Sequence, residues 1–185
     1  MKLRYLVMAA AAILAASCSP KAPSDPLEVS LCSAIAGKVG ADAKVSLEGF
    51  TRTDSVSFAQ LLDLRRKAFE LKLAQETKFY EKYKSEHMDV NAKKHEDAMV
   101  RTKNILASFD VLEAGLAGRM DEIAYYDCAF SGQAKSAAGT VSLDGYNAVV
   151  TPSGEVMAIQ AGTKNIHAGL GKLIPGYTEL IKGEE

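Results

Sequence analysis

The sequence predicts an α+β domain, in which a long antiparallel helical hairpin packs on a small three- to four-stranded antiparallel sheet behind a short N-terminal helix. Three observations carry this. Residues 58–83 contain no Gly or Pro and are dense in Leu, Lys, Glu, Gln and Ala, all good helix formers. A second run, Ala98, Thr102, Ile105, Phe109, Leu112, Leu116 and Met120, repeats at spacings of four and three, close to a heptad stripe. From Asp121 the period changes to two, that of a strand whose faces see different surroundings.

Taken in order, Leu27, Leu31, Ile35 and Val39 recur at every fourth residue and draw one face of a short helix, with Cys32 near its edge and Gly37 and Gly40 to end it. Lys44 to Val56 alternates loosely, as a strand would, with Gly49 breaking the run. In the first long helix one flank collects Leu61, Leu64, Ala68, Leu71 and Phe79, and a second collects Leu62, Phe69, Leu73 and Tyr80. Arg65, Lys72 and Glu76 fall between them, so this helix is expected to touch two surfaces while the long charged side chains reach to water and Lys72 pairs with Glu76. Residues 84–97 are the most polar stretch and hold the turn, at about 85–91. The whole hairpin is placed at about 57–120. Arms of this length run about 40–45 Å at 1.5 Å per residue, so the hairpin should protrude from, or lie across, the rest.

The sheet is expected at about 121–162. In its first clear strand Ala124, Tyr126, Cys128 and Phe130 are assigned to the core, and Ile123, Tyr125, Asp127 and Ser131 to the outer face. Gly139 to Thr151 forms a second strand broken at Asp144-Gly145, and Glu155 to Ala161 a third after the turn at 151–154. No Lys or Arg occurs between Lys135 and Lys164, which suggests a sheet covered on one face by the hairpin. A Gly-rich stretch and a short helix at 178–182 close the chain.

Ahead of this domain, Lys2 and Arg4 precede a 12-residue apolar run, Tyr5 to Ala16. At about 18 Å if helical, the run is short of the roughly 30 Å of a bilayer core and has the form of a secretory signal peptide, residues 1–17. It ends in Leu14-Ala15-Ala16-Ser17-Cys18, which resembles the lipobox of bacterial lipoproteins, with Leu one position from its usual place and Ala15 in its stead. The resemblance covers these first 18 residues only. It implies that Cys18 receives the lipid, palmitate among its acyl chains, and becomes the mature N-terminus, anchoring the domain to a membrane of the bacterial cell envelope outside the cytoplasm. Cleavage after a small residue without lipidation is the alternative. Residues 18–26, with three prolines in the eight after Cys18, then form an extended tether to a single domain at 27–185. Two cysteines remain, Cys32 and Cys128, and an even pair in an oxidising compartment is expected as a disulfide, with two separate buried thiols as the alternative. It would close a loop of about 97 residues, which the chain-entropy model values at about 4.7 kcal/mol.

Composition narrows the function classes. With 22 Lys plus Arg against 23 Asp plus Glu, the chain has no field to hold nucleic acid, and losing Lys2 and Arg4 with the leader moves the formal balance from −1 to −3. Gly169-Leu170-Gly171-Lys172 fails the phosphate-loop spacing, since Ile166 stands where the first Gly belongs and Leu173 follows the Lys. These glycines are assigned to loop positions with positive φ. His87, His95, Glu86, Asp89, Glu96 and Asp97 cluster near the turn, but Met99 stands where a zincin needs its second His, so a solvated helix tip of mixed charge is expected and no metal. No Gly-x-Ser-x-Gly occurs, and there is no Trp to stack on a sugar. No catalytic residue and no cofactor is assigned. Tyr125 and Asp127 are the candidate ligand contacts, against the plainer assignment to an outer strand face. The expected function is a non-enzymatic envelope lipoprotein that binds a protein or an envelope component. A hydrolase or carbohydrate-binding protein is the first alternative, and a carrier of a small apolar ligand in a cavity between sheet and hairpin the second.

Overall fold

The computed structural model describes residues 25–40 and 42–182. The leader, Cys18 and the tether as far as Ser24 lie outside the described residues. Helix α1 (Pro26–Val39) begins where the Asp25 carboxylate accepts from Leu27 N at 2.9 Å, with Pro26 in the first turn, where its missing N–H costs nothing. Pro26 therefore starts the domain rather than ending the tether.

Strand β1 (Lys44–Ser57) runs directly into α2 (Phe58–Ser85), because Ser57 and Gln60 form a reciprocal capping box. The turn at 86–88, with His87 at φ 55°, leads to α3 (Asp89–Gly115). Leu61, Leu62 and Phe69 of α2 and Ile105, Phe109, Leu112 and Leu116 at the far end of the hairpin enter one core. Beyond them, Ala92 and Thr102 are the only buried residues of the two arms among those described. The hairpin thus protrudes, with about 24 Å of α2 past Phe69 at 1.5 Å per residue. Of the flank Leu61, Leu64, Ala68, Leu71 and Phe79, only Leu61 is fully buried. Met120 lies past the end of α3, in the turn before the sheet.

The sheet has five antiparallel strands. β1 pairs with β2 (Ile123–Ser136) along its length, β4 (Tyr146–Val150) lies on the other side of β2, β5 (Val156–Ala161) follows β4, and the short β3 (Gly139–Ser142) pairs with the far end of β2. The count exceeds the expected three or four because Asp144-Gly145, with Gly145 at φ 71°, cuts 139–151 into two separate strands. At Gly132 (φ 145°) a Cβ would run into the Ser46 carbonyl, so a glycine is what lets β1 and β2 approach there.

Both faces of this sheet are covered. Leu27, Leu31 and Ile35 of α1 pack on Cys128, Phe130, Ala134, Ala148 and Val150. On the opposite face the hairpin base and the C-terminal segment pack on Tyr125 and Val149, through Ile166, Leu170, Ile174, Tyr177 and Ile181. A 3-10 turn (Leu170–Leu173) and α4 (Tyr177–Leu180) shape that segment. This corrects the expected outer face of β2: Tyr125 is 1% exposed and belongs to the core.

The expected staple is also absent from the structure, where Cys32 and Cys128 are free thiols. Cys128 does lie beneath α1, but Leu27, Leu31 and Ile35 occupy the helix face that meets the sheet, and Cys32 is about 100° further round from Leu31. Apolar packing and an ion pair do the joining instead: Arg52 of β1 grips both oxygens of Asp25, at 2.9 and 2.7 Å, and lies over the Tyr126 ring. Among the described residues no helix is long and apolar enough to cross a membrane.

Candidate functional site

Strand alternation puts Tyr125 and Asp127 on one face of β2, the face that receives the hairpin base. After β5 the chain turns at Gly162, whose N–H bonds Gly145 O, and doubles back across this face. Ile166 drops into the core there, and positive φ at Asn165 and Gly169 bends the segment on either side of it. His167 follows directly. Its ring lies 5.7 Å from that of Tyr125, and its Nε2 is 2.8 and 3.0 Å from the two oxygens of Asp127. A proton on Nε2 serves both contacts, which leaves Nδ1 without a hydrogen-bond partner among the described residues.

From the other side Arg65 of α2 reaches over, and its Nη2 donates to the His167 carbonyl at 2.6 Å. Its Nε is buried with no partner, and Arg65 forms no ion pair among the described residues. Arg65, His167 and Asp127 therefore make one polar chain that ties α2 through the C-terminal segment to the middle of the sheet. Beside it opens a cleft of about 340 Å³, lined by Leu61, Leu64, Arg65, Tyr125, Asn165, His167 and Ala168. His167 also borders a smaller cavity of about 100 Å³, shared with Thr53, Asp127, Asn147 and Thr163.

The lining of the larger cleft contains no Ser, Thr, Cys or carboxylate. Burial pushes the Tyr125 hydroxyl up to about 12, with the Asp127 charge adding to the effect and Arg65 opposing it, so the phenol keeps its proton at neutral pH. Asp54 stands opposite Asp127 in the β1–β2 register, and it turns one oxygen back to accept from Ser55 N.

Tyr125 and Asp127 thus meet on the two sides of His167, Tyr125 as the buried floor of the larger cleft rather than an exposed contact and Asp127 in the wall of the smaller cavity. Arg65 and His167 complete the larger cleft. The only local hints of them were a cation interrupting an apolar flank and a His amid turn-forming residues. The His cluster at the hairpin divides. His87 occupies the turn, while His95 leaves the tip, meeting Glu76 across the hairpin at 2.6 Å with its ring against both Phe79 and Tyr83, at 5.2 and 5.3 Å.

Next to the cleft, the outward face of α2 continues as an apolar row. Leu64 is 53% and Leu71 73% exposed, with Ala68 exposed between them. The Lys67–Asp63 pair flanks the row, so the charges around it are of mixed sign. No family model matches this chain, and comparison with curated proteins and with solved structures finds no match.

Proposed function

We propose that this protein is a non-enzymatic cell-envelope lipoprotein, tethered through Cys18, that holds a protein partner on the outward face of α2 beside the Arg65–His167 cleft. The observation that supports this is the row of Leu64, Ala68 and Leu71, left uncovered on a helix whose other leucines and aromatic residues are at least half-buried. Contiguous exposed apolar side chains on an otherwise polar helix mark an interaction site. The mixed charges around the row favour a protein over an anionic lipid surface, which calls for a basic rim. Arg65, without a carboxylate of its own, gives such a partner a polar anchor next to the apolar one.

The Asp127–His167 pair supports a second reading, a carbohydrate-binding protein or hydrolase using the cleft. The lining favours binding over bond cleavage, since it offers no nucleophile and a phenol that stays protonated. The carrier reading has less support: the space between hairpin and sheet is filled by Phe69, Phe109, Tyr125, Val149 and Tyr177, with ring centroids 6.0 and 6.4 Å apart along Phe69–Phe109–Tyr177.

A photo-crosslinking side chain placed at Leu71 in intact cells tests the proposal. It should give one discrete protein adduct that Leu64→Glu abolishes, while the same label at Lys103 of α3 gives none. Adducts to lipid alone, or none at all, would count against it. The tether is tested separately, since Cys18→Ala should lose metabolically incorporated acyl label.

A further inference from the structure

We infer that β5 is an open pairing edge and that a second copy of this chain fills it, joining two sheets into one across a two-fold axis. The sheet ends in two strands of opposite character, β1 of 14 residues and β5 of six. β1 carries Lys44, Glu48, Arg52 and Asp54, and its register shifts at Leu47/Gly49, Arg52/Asp54 and Val56/Ser57. Charges and bulges are the devices that stop a further strand from adding. β5, Val156-Met157-Ala158-Ile159-Gln160-Ala161, has no charged residue and no Pro. Its one irregularity lies at its start, opposite Val149/Val150, and Ala158 to Ala161 pair regularly with β4. Among the described residues, no backbone hydrogen bond of Val156–Ala161 beyond the strand ladder goes to any other part of the chain. The outer backbone groups of a regular, uncharged strand are thus left to another strand.

Two features favour a second copy as the occupant. An uncharged strand facing itself sets no like charges opposite one another, which charged edges of natural sheets do. Antiparallel pairing about a two-fold axis normal to the sheet also returns each face onto itself. Both α1 helices then lie on one side of the joined sheet and both hairpins on the other. The chain enters α1 at Asp25, which Arg52 holds on the α1 side over Tyr126, so both α1 N-termini lie on the same side. This part of the argument rests on the lipoprotein reading: two copies anchored in one membrane can meet edge to edge without either tether crossing the sheet. Anchoring also raises their local concentration.

Sedimentation equilibrium of residues 19–185, which hold every described element and carry no lipid, tests the edge by itself. The expected result is twice the chain mass. Gln160→Lys with Ala161→Lys should return it to a single chain mass with an unchanged helical circular dichroism spectrum, and mixing with the matching Glu variants should restore the dimer. Should the double variant lose its helical signal, Ala161→Lys alone, at an exposed position, serves in its place. A monomer at about 1 mM, the local concentration that short tethers impose, overturns the proposal, as does a dimer that persists with the lysines in place. Neither result bears on the tether, which stands or falls with acyl labelling of Cys18.

Discussion

His167 Nε2 sits 2.8 Å from one oxygen of Asp127 and 3.0 Å from the other, a contact that spans 40 residues of sequence and pins the C-terminal segment to the centre of β2. Because the His167 side chain is 49% exposed, this polar contact itself contributes little, and Asp127→Asn should cost under about 1 kcal/mol in urea denaturation. His167→Ala also removes the ring against Tyr125 and should cost about 1–2 kcal/mol. Amide exchange at 163–169 should quicken in that variant; unchanged exchange there would show that the His167 side chain does not hold the segment.

Arg65 joins the same segment from above. Arg65→Met loses the 2.6 Å bond to the His167 carbonyl and also removes the partnerless Nε, two effects of opposite sign. A hydrogen bond from a charged donor contributes about 1.5–3 kcal/mol, and relief of one buried orphan offsets roughly half of that, so a net loss of about 1 kcal/mol is expected. A variant more stable than the parent would mean that the orphan dominates.

Stability should fall on the alkaline side. Burial pushes the Cys128 thiol up from 9.0 to about 11 and the Tyr125 phenol from 10.0 to about 12. Between pH 9 and 11 the unfolded chain releases the thiol proton while the folded chain keeps it. Fewer protons bound in the unfolded state means that unfolding becomes easier as pH rises. Tyr125 adds the same sign from pH 10 to about 12. The denaturation midpoint should therefore drop steadily above pH 9, and Cys128→Ala should make the drop shallower between pH 9 and 11, where the raised Cys32 thiol still contributes. A flat profile to pH 11 would contradict the burial of both groups.

The same two thiols predict a labelling order. Cys32 is half-buried, with burial and then Glu28 raising its pKa, and Cys128 is fully buried. In the native protein Cys32 should alkylate slowly and Cys128 only on unfolding. Reductant should leave the number of labelled thiols unchanged; a gain of two would establish the disulfide that the structure lacks.

Gly169 and Gly171 should differ although they stand two residues apart. Gly169 has φ 71° with open space around it, so Gly169→Ala incurs only the left-handed backbone cost of about 1–2 kcal/mol. A Cβ at Gly171 would overlap the Tyr177 ring, which packs edge-on against Phe109 in the core, and the cost should be larger. Pairing Gly171→Ala with Tyr177→Leu should recover part of it, and the absence of any recovery would refute the contact.

Those glycines also show what the sequence could convey. Positive φ at Gly169 was legible because it is a local property, whereas the close approach at Gly171 depends on a ring that only the fold brings near. The stripe from Thr102 to Leu116 was legible for the same reason, its spacing matching a helix packed on one side. The faces of β2 were not. Alternation labels a face only when one side is wet, and here α1 covers one side and the hairpin base the other, so Tyr125 and Tyr126 stand side by side in sequence and are both at least half-buried. Arg65 was legible only as a charge on the seam between two apolar flanks and His167 not at all, because their contact spans 102 residues and no local pattern announces it.

Past Phe69 and before Ile105 the two arms of the hairpin have, among the described residues, only each other for company. That makes the outer part a mast whose height is independent of the hull. Removing seven residues from each arm in register would shorten it by about 10 Å while every core contact stayed in place, and adding seven to each would raise it by as much. Reach is therefore a dimension in which this fold can vary freely, and the tip can be rebuilt for a new purpose without renegotiating the body beneath it.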